Sequence, residues 1–142
     1  MKTASIVLGD WATLQKDAQT VRYAVFVEEQ KIPAELEWDI NDTVCLHAVA
    51  YDEQQQAIGT GRLLPDGHIG RMAVLAKARG AGVGAAILRQ LMQQAKQRGD
   101  ACVRLNAQQS AEHFYLKEGF IRDGDLFMEA GIPHIHMQYH FD

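Results

Sequence analysis

The 142-residue sequence has no long apolar run, no block of basic residues and only two cysteines. No apolar stretch approaches the ~18 residues of a membrane-spanning helix, and the short one near the N-terminus is soon followed by Asp10, which argues against a signal peptide. The net charge of −4, without clustered Lys and Arg, argues against nucleic-acid binding, whose affinity comes from clustered cations. We therefore expect a cytoplasmic protein with neither a membrane nor a nucleic-acid partner.

The cysteines and the composition are those of an ordinary globular chain. Cys45 and Cys102 fall in predicted strands without a histidine partner in a catalytic setting, so small buried thiols are favoured over a disulfide or a nucleophile. Hydrophobic residues make up 47% of the chain and charged residues 23%, enough for a real core. The length predicts a single domain over residues 1–142.

The apolar pattern alternates between strand and helix. Predicted strands cover residues 5–8, 44–51, 57–64, 68–74, 101–107, 120–121 and 134–141. One helix is predicted after Asp10 and two more over residues 82–98 and 110–118, and the acidic segment 28–42 is a loop or a short helix. The helix after Gly82 joins two strands as a crossover, so strands 69–74 and 101–107 are expected to be parallel neighbours in an otherwise antiparallel sheet.

A glycine-rich turn lies between the fourth strand and that helix. Gly80, Gly82 and Gly84 let successive N–H groups converge on an anion, and the helix adds its unpaired first-turn N–H groups and the positive end of its dipole. Lys77 and Arg79 add positive charge. The segment therefore predicts a phosphate-binding turn.

Other glycine motifs explain this turn less well. A nucleoside-triphosphate P-loop needs Lys and Ser or Thr after its glycines, but Gly84 is followed by Ala85 and Ala86. The run Gly80–Ala85 satisfies the dinucleotide G-x-G-x-x-A pattern, yet the next strand ends in Asn106 with no acidic residue for a ribose. A glycine-rich connection without a ligand stays open.

Two motifs carry a family resemblance. Arg79-x-x-Gly82-x-Gly84 after an apolar strand resembles the acyl-coenzyme A signature of the GNAT N-acyltransferase superfamily. The segment 114–120, Phe-Tyr-Leu-Lys-Glu-Gly-Phe, resembles the family's F-Y-x-x-x-G-F segment and follows in the same order. Residues 22–30, together with Pro33, Asp39 and His47 and the segment 131–135, look like the small bacterial ElaA/YjcF branch of that superfamily.

The resemblance implies a fold and a coenzyme. The expected fold is α/β (α+β), a GNAT fold with a mixed, mostly antiparallel sheet of about six to seven strands, a central splayed parallel pair and flanking helices. The residues implied to hold acetyl-CoA are Met72, Ala73 and Val74 through their main chain, the turn Arg79, Gly80, Ala81, Gly82, Val83 and Gly84, and Asn106 and Tyr115. No metal is expected. His134-x-His136 is a weak zinc hypothesis because no third ligand of matching spacing is visible.

The resemblance also implies catalytic roles. Tyr115 would donate a proton to the leaving thiolate, a sensible pairing because a thiol titrates near ~8.5 and a phenol near ~10. The other interpretation of Tyr115 is an aromatic that packs on the sheet. Among several carboxylates and histidines, Glu29 and His47 fall near the expected acceptor cleft and are the candidate bases. The alternative interpretation is a solvated surface charge for Glu29 and a structural hydrogen bond for His47.

The predicted function is an acetyl-CoA-dependent N-acetyltransferase, in which a primary amine of a small molecule or a protein attacks the thioester directly. The alternatives are a non-catalytic acyl-CoA-binding or sensing module and an interaction domain that keeps only the fold. The acidic segment 28–42 favours a cationic acceptor through its field. A sheet edge near the C-terminal strand could pair with a second copy, so a homodimer is a further expectation.

Overall fold

The computed structural model describes residues 4–37 and 39–142, which form two sheets. The first sheet is antiparallel and follows chain order: β1 (Ser5–Gly9), β2 (Leu46–Tyr51), β3 (Ala57–Leu63) and β4 (Ile69–Val74). The second sheet is built on the long C-terminal strand. Its members are β5 (Cys102–Gln108), β6 (Ile121–Arg122), β7 (Phe127–Glu129) and β8 (Ile132–His140), and β8 pairs antiparallel with each of the other three.

Helices connect and cover these sheets. The α-helices are α1 (Trp11–Arg22), α2 (Ala34–Glu37), α3 (Val83–Gln97) and α4 (Glu112–Lys117). A π-helix, Tyr23–Glu29, continues α1, and 3₁₀ helices cover Ile40–Val44, Ala76–Ala78 and Gln109–Ala111. None of the helices in the described ranges is both long and apolar enough to cross a membrane.

The two sheets meet at the start of β4 and β5. There, His68 and Arg104 form a parallel bridge, and the Arg104 N–H donates to the Gly67 carbonyl at 3.0 Å. Beyond this point the described residues form no ladder between the two strands, so the strands diverge. The predicted splayed parallel pair within otherwise antiparallel sheets is confirmed.

The core lies between α3 and the sheets. Val83, Ile87, Leu91 and Ala95, which recur at four-residue steps, are all buried on one face of α3, as the apolar pattern predicts. This packing fixes the start of α3 at the open end of the gap between β4 and β5.

Some element boundaries differ from the sequence prediction. The helix after Asp10 begins as predicted, since the Asp10 carboxylate accepts a hydrogen bond from the Thr13 N–H at 2.9 Å, but its α-helical part ends at Arg22. The described residues form eight strands rather than six to seven. The unpredicted strand is β7, which has only three residues, all exposed, and so lacks the buried alternation that identifies a strand.

Candidate active site

A cleft of ≈ 910 Å³ fills the gap between the diverging strands. One wall is β4 of the first sheet, and the other combines the end of β5 with α4 and the C-terminal hairpin. The predicted site residues that line this cleft are Glu29, Met72, Ala73, Val74, Arg79, Asn106 and Tyr115. A depression of similar size, ≈ 860 Å³, runs along α1 and contains none of the predicted site residues.

The glycine turn follows Arg79 in the chain, and residues 80–84 are not themselves among the residues that line the cleft. Gly80 and Gly82 have φ of +85° and +83°, the left-handed region that favours glycine, and Gly82 is the N-cap of α3. A Cβ built on either glycine meets no atom within 4 Å, so the space above the turn is open. The first-turn N–H groups of α3 have no acceptor inside the helix and carry the positive end of its dipole. The turn is therefore shaped to bind an anion.

The Arg79 guanidinium spans from this turn to the π-helix. Its Nε donates to the Val74 carbonyl at 3.0 Å, and its two terminal nitrogens donate to the Glu29 carboxylate at 2.7 and 2.6 Å. The hydrogen bonds from Arg79 lower the pKa of Glu29 below its ordinary value, despite the opposing effect of burial. Glu29 thus lines the cleft as an ionised partner of Arg79.

A second contact joins the π-helix to β5 through Gln30, the residue after Glu29. The side-chain amides of Gln30 and Gln108 exchange hydrogen bonds of 3.3 and 2.9 Å, which joins the end of the π-helix to the end of β5. Neither glutamine has a distinctive sequence motif. The pairing depends on two segments 78 positions apart and could not be predicted from local pattern.

Tyr115 lies on α4 with only 7% of its surface exposed. Its ring packs edge-on against Phe114 and Phe120, with centroids 4.9 and 5.8 Å away. Burial raises the pKa of Tyr115 to about 12. Its hydroxyl has no hydrogen-bond partner among the described residues. The ring of Tyr115 therefore packs in the core while its hydroxyl stays available to a ligand.

Two histidines of β8 are associated with the second wall, of which His134 lines the cleft and His136 contacts the lining residue Asn106. His136 Nδ1 lies 2.9 Å from the Asn106 Oδ1, which orients that amide at the end of β5. His134 is buried, lines the cleft and places Nδ1 2.7 Å from the Ile132 carbonyl. A carbonyl only accepts, so Nδ1 carries a proton, and the nitrogen that can accept one is Nε2, which lies 3.7 Å from Glu129.

Three comparisons with known proteins agree with this geometry. The sequence model of the acetyltransferase (GNAT) domain matches residues 14–141. The chain belongs to the GNAT acetyltransferase family. Within it, the chain is 41% identical over 126 residues to the uncharacterized N-acetyltransferase YjcF of Bacillus subtilis, covering 86% of this chain and 89% of that protein.

Solved GNAT structures have the same architecture. An acyl-CoA N-acyltransferase from Pseudomonas aeruginosa superposes with a TM-score of 0.84 at 30% identity, and Escherichia coli ElaA with 0.84 at 26%. Each comparison covers 96% of this chain and 99% of the other. The chain is therefore a GNAT acyltransferase of the ElaA/YjcF-like branch, whose cosubstrate is an acyl-CoA and whose acceptors are in general amines.

His47, a predicted base, lies outside the cleft of this GNAT domain. It is 1% exposed, its Nε2 donates to the Asp42 carbonyl at 2.9 Å, and its ring lies 4.8 Å from that of Trp11. Burial is the main reason that the pKa of His47 is lowered, partly opposed by Asp42. These contacts correspond to a structural hydrogen bond, the alternative to a catalytic base for this histidine.

The acidic segment is neutralised by arginines. Asp42 is buried and accepts two hydrogen bonds from Arg22, at 2.9 and 3.0 Å, and one from Arg62 at 2.8 Å. Arg62 also donates to Asp39 at 2.6 Å, and Arg22 forms an ion pair with Glu37. The expected attraction of a cationic acceptor by this segment is therefore not supported, because most of its carboxylates already face guanidinium groups.

The described residues contain no group of three or more His, Cys, Asp and Glu side chains arranged to hold a metal ion. His134 and His136 instead have separate partners, the Ile132 carbonyl and the Asn106 amide. Both cysteines are free thiols.

Proposed function

We propose that the protein transfers an acetyl group from acetyl-CoA to a primary amine by direct attack of the amine on the thioester. The observation that carries the proposal is the position of the glycine turn. Its open space and helix N-terminus come directly after Arg79, which lines the same cleft as Tyr115. A turn suited to a phosphate and a phenol suited to proton donation, both next to the gap between β4 and β5, support this proposal.

The residues that would hold acetyl-CoA are those of the first wall. The N–H groups from Gly80 to Gly84 suit the pyrophosphate, because two left-handed glycines leave the turn open and α3 adds its dipole. The edge of β4 at Met72–Val74 that faces the gap has no strand partner among the described residues, and its main chain suits the amides of pantetheine. When bound, acetyl-CoA supplies the acetyl group and a thiolate leaving group.

Two side chains divide the proton transfers. We assign the general acid to Tyr115, since burial keeps its phenol protonated at neutral pH until the departing sulfur needs the proton. The base is assigned to His134, whose Nε2 lone pair is fixed by the Nδ1 contact with the Ile132 carbonyl. The amine loses a proton to His134 as its nitrogen bonds to the acyl carbon, and the carbon–sulfur bond breaks as Tyr115 protonates the sulfur.

The test is thiol release from acetyl-CoA with a panel of primary amines, for the wild type and for Tyr115→Phe. The substitution removes the proton but keeps the ring between Phe114 and Phe120. We expect kcat to fall by about 10²-fold or more with the affinity for acetyl-CoA unchanged. Equal turnover by both proteins would remove Tyr115 from the mechanism. Coenzyme binding without any amine-dependent turnover would favour the non-catalytic acyl-CoA-binding or sensing module.

A further inference from the structure

Arg71 occupies an unusual position at the edge of the cleft. It lies in β4 directly before Met72, where the pairing with β3 shifts register, and its φ of +49° lies in the left-handed region that a non-glycine residue rarely adopts. Such strained positions concentrate at functional sites. The bulge places the Arg71 side chain among the residues that line the cleft.

The Arg71 guanidinium has unused donors. Its Nε is buried without a hydrogen-bond partner, and its side chain as a whole is 27% exposed. The nearest charge is the Asp39 carboxylate, whose Oδ2 lies 3.5 Å from Nη2 without forming a hydrogen bond. The same oxygen already accepts from Arg62 at 2.6 Å. Within the described ranges the Arg71 guanidinium therefore makes no hydrogen bond.

The acids near Arg71 leave its hydrogen-bond donors unused. In the group around it, three acids (Glu37, Asp39 and Asp42) balance three arginines in formal charge, but the guanidinium groups that donate hydrogen bonds to these acids are those of Arg22 and Arg62. Burial lowers the pKa of Arg71 from its ordinary value; the nearby Arg62 and Arg22 cations add to this effect, and Asp39 and Glu37 partly oppose it. Arg71 thus lines the cleft with guanidinium donors that are available to a ligand anion.

The opposite wall of the cleft carries an acid and an imidazole instead of a cation. His134 and the exposed Glu129 face the cleft from the second sheet, with 3.7 Å between the imidazole Nε2 and the carboxylate. The remaining acids of the lining, Glu29 and Glu37, are held by Arg79 and Arg22. A ligand that spans the cleft would therefore meet a cation on β4 and an acid with a base on the other side.

We infer that the acceptor is a small amine that also carries an anionic group, a carboxylate or a phosphate, and that Arg71 binds this group. The inference rests on the proposed N-acetyltransferase function and specifies its substrate class. A guanidinium binds either anion through two parallel N–H donors, which fixes orientation as well as charge. Held in this way, the ammonium end faces Glu129 and His134, where it can lose its proton.

The experiment uses matched acceptors in the thiol-release assay. Three L-amino acids with different side chains are compared with their C-terminal amides, and phosphoethanolamine is compared with ethanolamine. We expect kcat/KM for the anionic member of at least one pair to exceed that of its neutral partner by about 10-fold to 100-fold. The carboxylate and phosphate pairs distinguish the two kinds of anion.

Variants then assign the preference to one side chain. Arg71→Gln should raise KM for the anionic member, leave the neutral member unchanged and abolish the preference, and Arg71→Lys should retain part of it. The matched control is Arg104→Gln, which also removes a guanidinium with a buried, unpartnered Nε but does not line the cleft. Calorimetric binding of acetyl-CoA to each variant verifies that the fold and the coenzyme site persist.

The outcomes separate the inference from the proposed function. Neutral amines as equal or better substrates, or an equal loss for both pair members in Arg71→Gln, would overturn the inference while acetyl transfer stands. If the protein binds acetyl-CoA but acetylates no member of the panel, the proposed function fails and the inference fails with it. Loss of the preference for the anionic acceptor in Arg71→Gln but not in Arg104→Gln supports both the inference and the proposed function.

Discussion

Arg79 and Glu29 form a two-point ion pair that links the coenzyme turn to the π-helix, with N–O distances of 2.7 and 2.6 Å. Each side chain is a little under half exposed. The pair gives Arg79 a carboxylate partner in the free protein and keeps Glu29 ionised. The ion pair therefore joins Glu29, predicted as a base, to Arg79, predicted to bind the coenzyme, and neither prediction included this contact.

The first prediction concerns this pair. Glu29→Gln frees the Arg79 guanidinium for an anion, and because an exposed ion pair contributes only about 0.2–1 kcal/mol, the affinity for acetyl-CoA should rise by no more than about fivefold. Turnover should persist, since the assigned base is His134. Calorimetry and steady-state kinetics measure both quantities, with Glu28→Gln as the neighbouring control. If turnover instead fell by about 10²-fold or more, Glu29 would be the base.

His134 provides the second prediction. His134→Gln removes the lone pair at Nε2 and should lower kcat by about 10²- to 10⁴-fold with acetyl-CoA binding unchanged. The control is His140→Gln, at the exposed end of the same strand. Thiol-release kinetics with a saturating amine measure the effect. Unchanged kcat in His134→Gln would exclude His134 as the base.

The third prediction concerns the buried charges. Asp42 binds both Arg22 and Arg62, and its side chain is 2% exposed. Asp42→Asn leaves two guanidinium groups without their shared anion, so the free energy of unfolding should fall by about 3–5 kcal/mol. Urea denaturation measures this loss. Asp100→Asn, which breaks the more exposed pair with Arg98, should cost about 1 kcal/mol or less, and equal losses would contradict the argument.

The fourth prediction is a pH dependence of stability. Burial lowers the pKa of His47 in the folded protein, so the unfolded chain, with an ordinary imidazole near ~6.5, binds the proton more readily. The stabilisation is complete above about pH 6.5 and is lost as the pH falls from there towards the folded-state pKa. The carboxyl groups of Asp39 and Glu29, whose pKa values are also lowered, change the stability with pH only near and below about pH 4.

Thermal unfolding between about pH 7.5 and pH 5.5 tests this pH dependence. Wild-type Tm should decrease as the pH falls, and the decrease should be smaller in His47→Gln, which keeps an N–H donor for the Asp42 carbonyl. Parallel curves for the two proteins would show that His47 does not control stability in this range.

Local patterns predict what lies on one segment of chain. The glycine turn, the buried stripe of α3 and the position of Tyr115 after β5 are each determined by neighbouring residues, and the structure places them as the patterns indicate. The roles of charged side chains depend on partners distant in sequence. Arg22 meets Asp42, and Arg79 meets Glu29 across 50 positions, which no periodicity encodes.

The two histidines illustrate the same limit. His47 and His134 both alternate with apolar residues in strands, so the local pattern does not distinguish them, and the resemblance pointed to His47 alone. Only the packing separates them, because His47 is covered by Trp11 and bound to the Asp42 carbonyl, whereas His134 lines the cleft. Arg71 likewise has no local signal, since its free donors follow from Arg62 having taken the Asp39 carboxylate.

The central claim is tested most directly by calorimetric titration of acetyl-CoA into the wild type, Gly82→Glu and Gly99→Glu. Both glycines have positive φ and open space around them, at opposite ends of α3, so the two substitutions impose similar backbone strain. We predict binding to the wild type and to Gly99→Glu, and loss of binding in Gly82→Glu, where a carboxylate occupies the proposed pyrophosphate site. Equal binding to all three proteins, or none to the folded wild type, would contradict the account.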